Sequence, residues 1–185
     1  ASPRLARRAA AVDMLPCWAA MVAFDRPLFD AGDAGRFDGA FVRNSPLAWV
    51  ARDASKPERS GETWVLHADV AWTEENLEAD FDDAARRLLT AFFEALGRDP
   101  AEPRYLRAHR WRYARPGAPL GEVLWDPERY LGAGGDWSFS ARVEGAFLAG
   151  QALAGRVLGQ LAADSDRPDF EAAPATGDQL TLELA

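Results

Sequence analysis

Two alternating segments on either side of one amphipathic segment constrain the fold more than any other feature. Residues 63–72 alternate apolar and polar side chains, with His67 on the polar face, as half-buried strands do. Residues 104–114 repeat this period of two. Between them, residues 81–96 have apolar side chains at helical spacing, and Gly97 follows where a helix can end. We therefore predict an α+β fold with a mixed, mainly antiparallel sheet flanked by helices.

Shorter segments add elements before and after this central part. Each is predicted from an apolar run, a capping residue or a turn-forming proline or glycine. They are a helix at 2–15, strands at 17–24, 39–43, 47–52, 123–125 and 130–134, a helix start at 73–80, and a helix from residue 141 capped by Ser140.

The stretch 130–161 combines a short strand, a glycine turn at Gly135-Asp136 and a long helix rich in small residues. A helix N-terminus that follows a strand end favours electron-rich or anionic ligand atoms, because its backbone N–H groups are free. Glycine-rich packing without a ligand gives the same pattern, so both interpretations stay open here. Two groups carry further predictions: an apolar stripe of Val143, Ala146, Phe147, Leu153, Val157 and Leu161, and close approach at Gly145, Gly150 and Gly155.

Composition excludes several classes of protein. A net charge of −8 argues against nucleic acid or an anionic membrane as the main partner. Two histidines and the single Cys17 provide no zinc set, so we expect no metal. A lone cysteine suits a reducing compartment, and no apolar run reaches the ~20 residues that cross a bilayer. We therefore expect a cytoplasmic chain.

A motif in this stretch resembles a known family. Gly135-Asp136 followed by residues 142–150 looks like the C-terminal flavin motif of the FAD-dependent amine oxidase superfamily. The wider sequence resembles the renalase-like NAD(P)/FAD-dependent oxidoreductases within it, over roughly residues 12–160. The supporting segments are residues 16–18, 38–42, 45–47, 62–68, 108–113 and 118–121.

The resemblance implies an FAD site and assigns residues to it. Asp136 would accept hydrogen bonds from the flavin's sugar-alcohol chain, and a backbone N–H near Val143 would stabilise negative charge on the reduced ring. The full set of predicted cofactor-binding residues is Gly135, Asp136, Arg142, Val143, Glu144, Gly145 and Ala146.

A second set of residues is predicted to contact the substrate. His109 and Trp111 share one strand face and are the candidate catalytic pair, offering a titratable group and a planar ring. Trp49, His67 and Tyr113 are candidate lining residues. A well-packed aromatic sheet face with a hydrogen-bonded histidine explains the same pattern without a substrate.

The resemblance also implies that the chain is the C-terminal portion of a longer oxidoreductase. The family's N-terminal dinucleotide-binding unit has no counterpart here, so we expect an incomplete FAD site and no activity from this portion alone. We predict a substrate-binding domain at 1–129, the terminal strand, turn and helix of the FAD domain at 130–162, and a disordered polar tail at 163–185.

The parent would pass a hydride from a small reduced substrate, a dihydronicotinamide isomer of the NAD(P)H type or an amine, to flavin. Oxygen would then reoxidise the flavin. The partner of this portion would be the missing FAD domain. The alternative is a non-catalytic binding or assembly module that self-associates through its apolar sheet face.

Overall fold

The computed structural model describes residues 2–30, 32–33 and 35–165. They form two compact units, the described residues of 10–119 and residues 2–9 with 120–165, which we call the sheet unit and the terminal unit. Residues 166–185, most of the predicted tail, lie outside the described residues. In chain order the elements are α1 (Pro3–Ala10), β1 (Met14–Phe24), β2 (Gly39–Phe41), β3 (Leu47–Arg52), a 3-10 turn (Asp53–Ser55), β4 (Glu62–Ala68), α2 (Val70–Glu75), α3 (Phe81–Leu96), β5 (Tyr105–Pro116), β6 (Leu124–Asp126), β7 (Leu131–Ala133), α4 (Asp136–Phe139) and α5 (Val143–Ser165).

The sheet unit contains five strands in the order β2-β3-β4-β1-β5, and every neighbouring pair is antiparallel. Helix α3 packs on one face of the sheet, against β1, β3, β4 and β5. The core of this interface excludes solvent. Four of its side chains are 0% exposed: Trp18, Leu66, Leu88 and Phe92. The α+β prediction with a mainly antiparallel sheet is confirmed.

Helix α3 begins and ends where its sequence predicts. The Asp80 carboxylate accepts hydrogen bonds from the backbone N–H groups of Asp82 and Asp83, at 2.9 and 3.1 Å. Such a cap satisfies donors that have no partner within the helix. At the other end, Gly97 takes a left-handed φ of 62°, which a residue without a Cβ adopts at little cost.

The strand predicted at 63–72 ends early, at Ala68. Asp69 stops it by capping α2, accepting hydrogen bonds from Ala71 N–H and Trp72 N–H. Thr73, predicted to begin a helix, is instead buried inside α2, and its hydroxyl accepts the N–H of Trp18 at 3.2 Å. The apolar and polar residues continue to alternate past Ala68, but the Asp69 cap begins a helix there.

The helix predicted at 2–15 is also too long, since α1 ends at Ala10 and β1 already begins at Met14. Pro16 was predicted to end that helix, with the strand beginning at Cys17. The structure accommodates Pro16 at a shift in register between Leu15 and Cys17, where a missing N–H breaks no ladder bond.

In its described residues, the terminal unit has a two-stranded hairpin, β6 and β7, and the helices α1, α4 and α5. At its base the buried Asp126 accepts a hydrogen bond from the Ser2 hydroxyl, and Arg4 donates to the Trp125 carbonyl at 2.7 Å. These bonds join α1 to the hairpin.

Helix α5 buries little of its apolar surface. The predicted apolar stripe is not the buried side of the helix: Val143 is 90% exposed, and Phe147, Val157 and Leu161 are exposed. The buried residues of α5 are Gly145, Ala149 and Asp164. Apolar residues occur on every side of this helix, so the helical period does not indicate which side is buried. No helix in the described ranges combines the length and apolarity needed to span a bilayer.

Candidate functional site

The residues predicted to bind flavin lie around two helix starts in the terminal unit. Gly135 precedes α4, and Asp136 is its first residue. The sequence placed this aspartate in a turn and did not anticipate the short helix. Arg142 directly precedes α5, and the first turn of α5 is formed by Val143, Glu144, Gly145 and Ala146.

Ser138 stabilises the turn at the start of α4. Its hydroxyl accepts the Gly135 N–H at 3.2 Å, its own N–H donates to the Gly135 carbonyl at 3.0 Å, and its side chain is fully buried. The predicted cap at Ser140 lies farther from the helix than expected, because α5 begins at Val143.

Gly145 is required by a close backbone approach. A Cβ at this position would lie 2.2 Å from the Ser140 carbonyl oxygen and 2.9 Å from the Ser140 nitrogen. Backbone atoms cannot move aside as a flexible side chain can, so any larger residue forces a local rearrangement. The close approach predicted at Gly145 is confirmed. At Gly150 and Gly155 nothing among the described residues lies within 4 Å of a Cβ.

The start of α5 presents free hydrogen-bond donors. The N–H groups of Val143, Glu144 and Gly145 donate to no atom in the described part of the chain, as expected for a first turn. The helix dipole adds partial positive charge at the same end. The arrangement therefore suits an electron-rich or anionic ligand atom, and the predicted roles of these residues remain predictions.

The sheet face opposite α3, which we call the open face, carries the predicted substrate residues. One row across β3, β4, β1 and β5 contains, in register, Trp49, His67, Ala19 and His109. Trp111 is opposite Cys17 in the next row. The rings of His109 and Trp111 meet edge to face, with centroids 4.5 Å apart.

A cavity of about 590 Å³ lies on this face. It unites three predicted residues, Trp49, His67 and Trp111, whereas His109 and Tyr113 are not among its lining residues. The remaining lining residues are Pro16, Cys17, Phe41, Ala48, Ala68, Asp69, Val70, Ala114 and Arg115.

Burial shapes the titration of two cavity groups. Partial burial lowers the pKa of His67, so its imidazole is neutral at neutral pH. Burial raises the pKa of the Cys17 thiol, against smaller opposing effects from the Ala68 backbone and the charge of Arg115. The thiol is therefore a weak nucleophile, as its apolar sequence context indicates.

Sequence analysis missed Phe41 and Arg115 as cavity residues. Alternation along β5 carried the signal for Arg115, which falls on the same side as Trp111, but the strand was predicted to end at residue 114. Phe41 is 82% exposed at the sheet edge and pairs with Trp49, with ring centroids 4.6 Å apart. Nothing in the sequence indicates that contact.

No group of three or more histidine, cysteine or acidic side chains positioned to hold a metal occurs within residues 2–30, 32–33 and 35–165.

No family model matches the sequence. Among solved structures, the chain is similar to a protein assigned as a protoporphyrinogen oxidase from Exiguobacterium sp. 255-15, at 12% identity and a TM-score of 0.59, covering 81% of this chain and 36% of that one. It is also similar to a putrescine oxidase variant from a structure-based redesign of cofactor binding, at 14% identity, TM-score 0.59 and 86% and 38% coverage. Wild-type putrescine oxidase bound to putrescine matches at 13% identity, TM-score 0.55 and 85% and 38% coverage. The chain spans little more than a third of these structures, and its fold is that of a part of these oxidases.

Proposed function

We propose that the chain is the substrate-side part of an FAD-dependent oxidoreductase similar to renalase, together with the strand and helix that contact the flavin. The observation that carries the proposal is the first turn of α5. Its three backbone N–H groups donate to no described atom, and Ser140 approaches it so closely that Gly145 has no room for a Cβ. Shared fold with parts of two oxidases supports the same assignment.

Each part of the terminal site would have one task. The N–H groups of Val143 and its neighbours would donate to the electron-rich edge of the flavin ring, and Asp136 would accept hydrogen bonds from the sugar-alcohol chain. When bound, the flavin would supply the redox chemistry by taking a hydride from the reduced substrate, and oxygen would regenerate it.

The residues of the open face would orient the substrate. Trp49 and Trp111 provide flat apolar walls in the cavity, and neutral His67 presents a nitrogen lone pair between them. His109 supports the Trp111 ring from beside it. The proposed reduced substrate is a dihydronicotinamide isomer or an amine.

The test is flavin retention by the longer parent protein. Purified parent should show the visible absorbance of bound oxidised flavin, whereas colourless, correctly folded parent would end the proposal. Gly145→Ala should lose the flavin, because it displaces the turn beside Ser140. Gly159→Ala is the matched control, since a Cβ there meets no described atom within 4 Å.

The 185-residue chain itself gives a second test. We expect it to be inactive and to bind FAD weakly, because the adenine and pyrophosphate would need groups from another domain. Micromolar FAD affinity for this chain alone would contradict that expectation.

An assembly module is the second candidate function, and exposed apolar surface favours it. Phe41 on the open face and Phe147 on α5 are 82% and 64% exposed. Surfaces of this kind commonly bind a partner. Sedimentation of the chain would distinguish the two functions: a stable dimer, combined with a flavin-free parent, would favour assembly.

A further inference from the structure

We propose that the cavity on the open face binds a substrate with a flat ring and a negative charge, and that Arg115 selects it by pairing with that charge. The inference deepens the proposed function, since it narrows the class of reduced substrate. It concerns binding, however, and can be tested apart from the flavin chemistry.

The cavity walls favour a flat ring. Trp49 lies on β3 and Trp111 on β5, with β4 and β1 between them. Three strand spacings separate the backbones of β3 and β5 by about 14 Å, enough for a one- or two-ring ligand to lie over the strands between them. His67 and Cys17 form the floor under such a ring. Aromatic walls of this kind contribute area and orientation without specifying charge.

Arg115 supplies the charge preference. On the α3 side of the same strand, Arg110 and Arg112 both pair with Glu78, at 2.9 and 2.8 Å. Arg115 is on the open face and pairs with no carboxylate of the described residues. Its positive charge nevertheless reaches the cavity floor, where it acts on the Cys17 thiol. An anionic group on a bound ring would therefore meet an uncompensated guanidinium.

Asp69 is the acidic residue among the cavity lining, and its carboxylate already serves α2. One of its oxygens accepts the N–H groups of Ala71 and Trp72 at 2.9 and 3.4 Å. A carboxylate at an N-cap is stabilised by the helix dipole, which offsets its attraction for an incoming cation. His67 is neutral at neutral pH and adds no charge of either sign. An ammonium group would thus be repelled by Arg115 and could pair only with a carboxylate that already caps α2.

Three ligands with one ring system test the charge preference. Indoleacetate, indoleacetamide and tryptamine carry negative, no and positive charge on the same indole, and calorimetry of the 185-residue chain measures their affinities. We expect indoleacetate to bind about fivefold more tightly than indoleacetamide, which is the size of one partly exposed ion pair. Tryptamine should bind most weakly.

Variants assign that preference to a residue. Arg115→Gln should reduce the advantage of indoleacetate over indoleacetamide to less than about twofold. Arg107→Gln is the matched control, because Arg107 shares the face of β5, is not a cavity residue and has no ion-pair partner among the described side chains. It should leave the order unchanged. Asp69→Asn, which retains a capping side chain, should not weaken tryptamine.

Several outcomes would overturn the inference. Equal affinities for the three ligands, tighter binding of tryptamine, or no detectable binding of any ring would each do so. If Arg107→Gln and Arg115→Gln reduced the affinity advantage of indoleacetate equally, the preference would come from general surface charge and not from Arg115.

Failure of the proposed function looks different. A flavin-free parent whose chain still binds indoleacetate through Arg115 would retain the inference and remove the oxidoreductase. A flavin-containing parent with the reverse charge order would do the opposite.

Discussion

The two units bury apolar surface very differently. In the sheet unit, α3 packs over one sheet face. The large side chains between them are at most 1% exposed: Trp18 and Trp64 from the sheet, and Leu88 and Phe92 from α3. In the terminal unit, α5 is 23 residues long, yet the side of it that is buried presents Gly145, Ala149 and Asp164. One unit has a hydrophobic core of its own, whereas the other has a helix with exposed apolar side chains.

The largest expected effect breaks the core of the sheet unit. Leu88→Ala removes a fully buried side chain and should lower the free energy of unfolding by about 2–5 kcal/mol. Leu158→Ala, at a residue 66% exposed on α5, should change it by less than about 0.5 kcal/mol. Urea unfolding of both variants measures the contrast. Equal losses would show that the two units do not differ in this way.

A glycine pair sharpens the description of the terminal unit. Gly145→Ala should destabilise the start of α5 by about 1–3 kcal/mol through its clash with Ser140, a cost typical of overpacking. Gly159→Ala should stabilise the helix by about 0.5–1 kcal/mol, because alanine loses less backbone entropy. Thermal unfolding followed by circular dichroism should therefore show shifts of opposite sign. A stabilising Gly145→Ala would refute the close backbone approach.

The cap of α3 tests whether the sheet core depends on that helix's start. Asp80→Ala removes the acceptor for two backbone N–H groups and should cost about 1 kcal/mol. Asp80→Asn retains a good capping side chain and should cost less. Hydrogen exchange of the α3 amides provides the measurement. Equal protection in both variants would exclude a role for the cap.

The smallest effect concerns pH and the open face. The pKa of His67 is lower in the folded state than its usual value of 6.5, so below that pH the unfolded chain takes up a proton that the folded chain resists. Stability from this residue is therefore retained above the usual pKa and lost as pH falls below it. His67→Gln should flatten this part of the pH profile relative to wild type. An unchanged slope would mean that His67 is not protected from protonation.

Local patterns predicted the elements whose boundaries depend on local chemistry. Residues 81–96 and 47–52 form a helix and a strand with the predicted limits, because the Asp80 cap and the turn before Leu47 act over a few residues. The strand predicted through residue 72 failed for the same physical reason, since the capping role of Asp69 was not recognised.

The candidate sites divide in the same way. Alternation placed His67 opposite the core face of its strand and Trp111 beside His109 on one face of another strand. Only the strand order shows that His67, Trp111 and Trp49 meet at one cavity. The order β3-β4-β1-β5 depends on long-range pairing, which no window of sequence contains. The extent of burial of α5 was likewise beyond periodicity, because its apolar residues point in every direction.

The position of β1 in the sheet has a consequence for synthesis on the ribosome. This strand is the first of the sheet in sequence and pairs with β4 and β5, the latter ending at residue 116. The ribosome adds about 5–20 residues per second, so both edges of this largely apolar strand stay unpaired for several seconds before β4 and β5 are made. Unpaired apolar strands are prone to add to other chains, and late pairing also slows folding. Strand β1 is therefore the segment of the nascent sheet with the longest need of a chaperone.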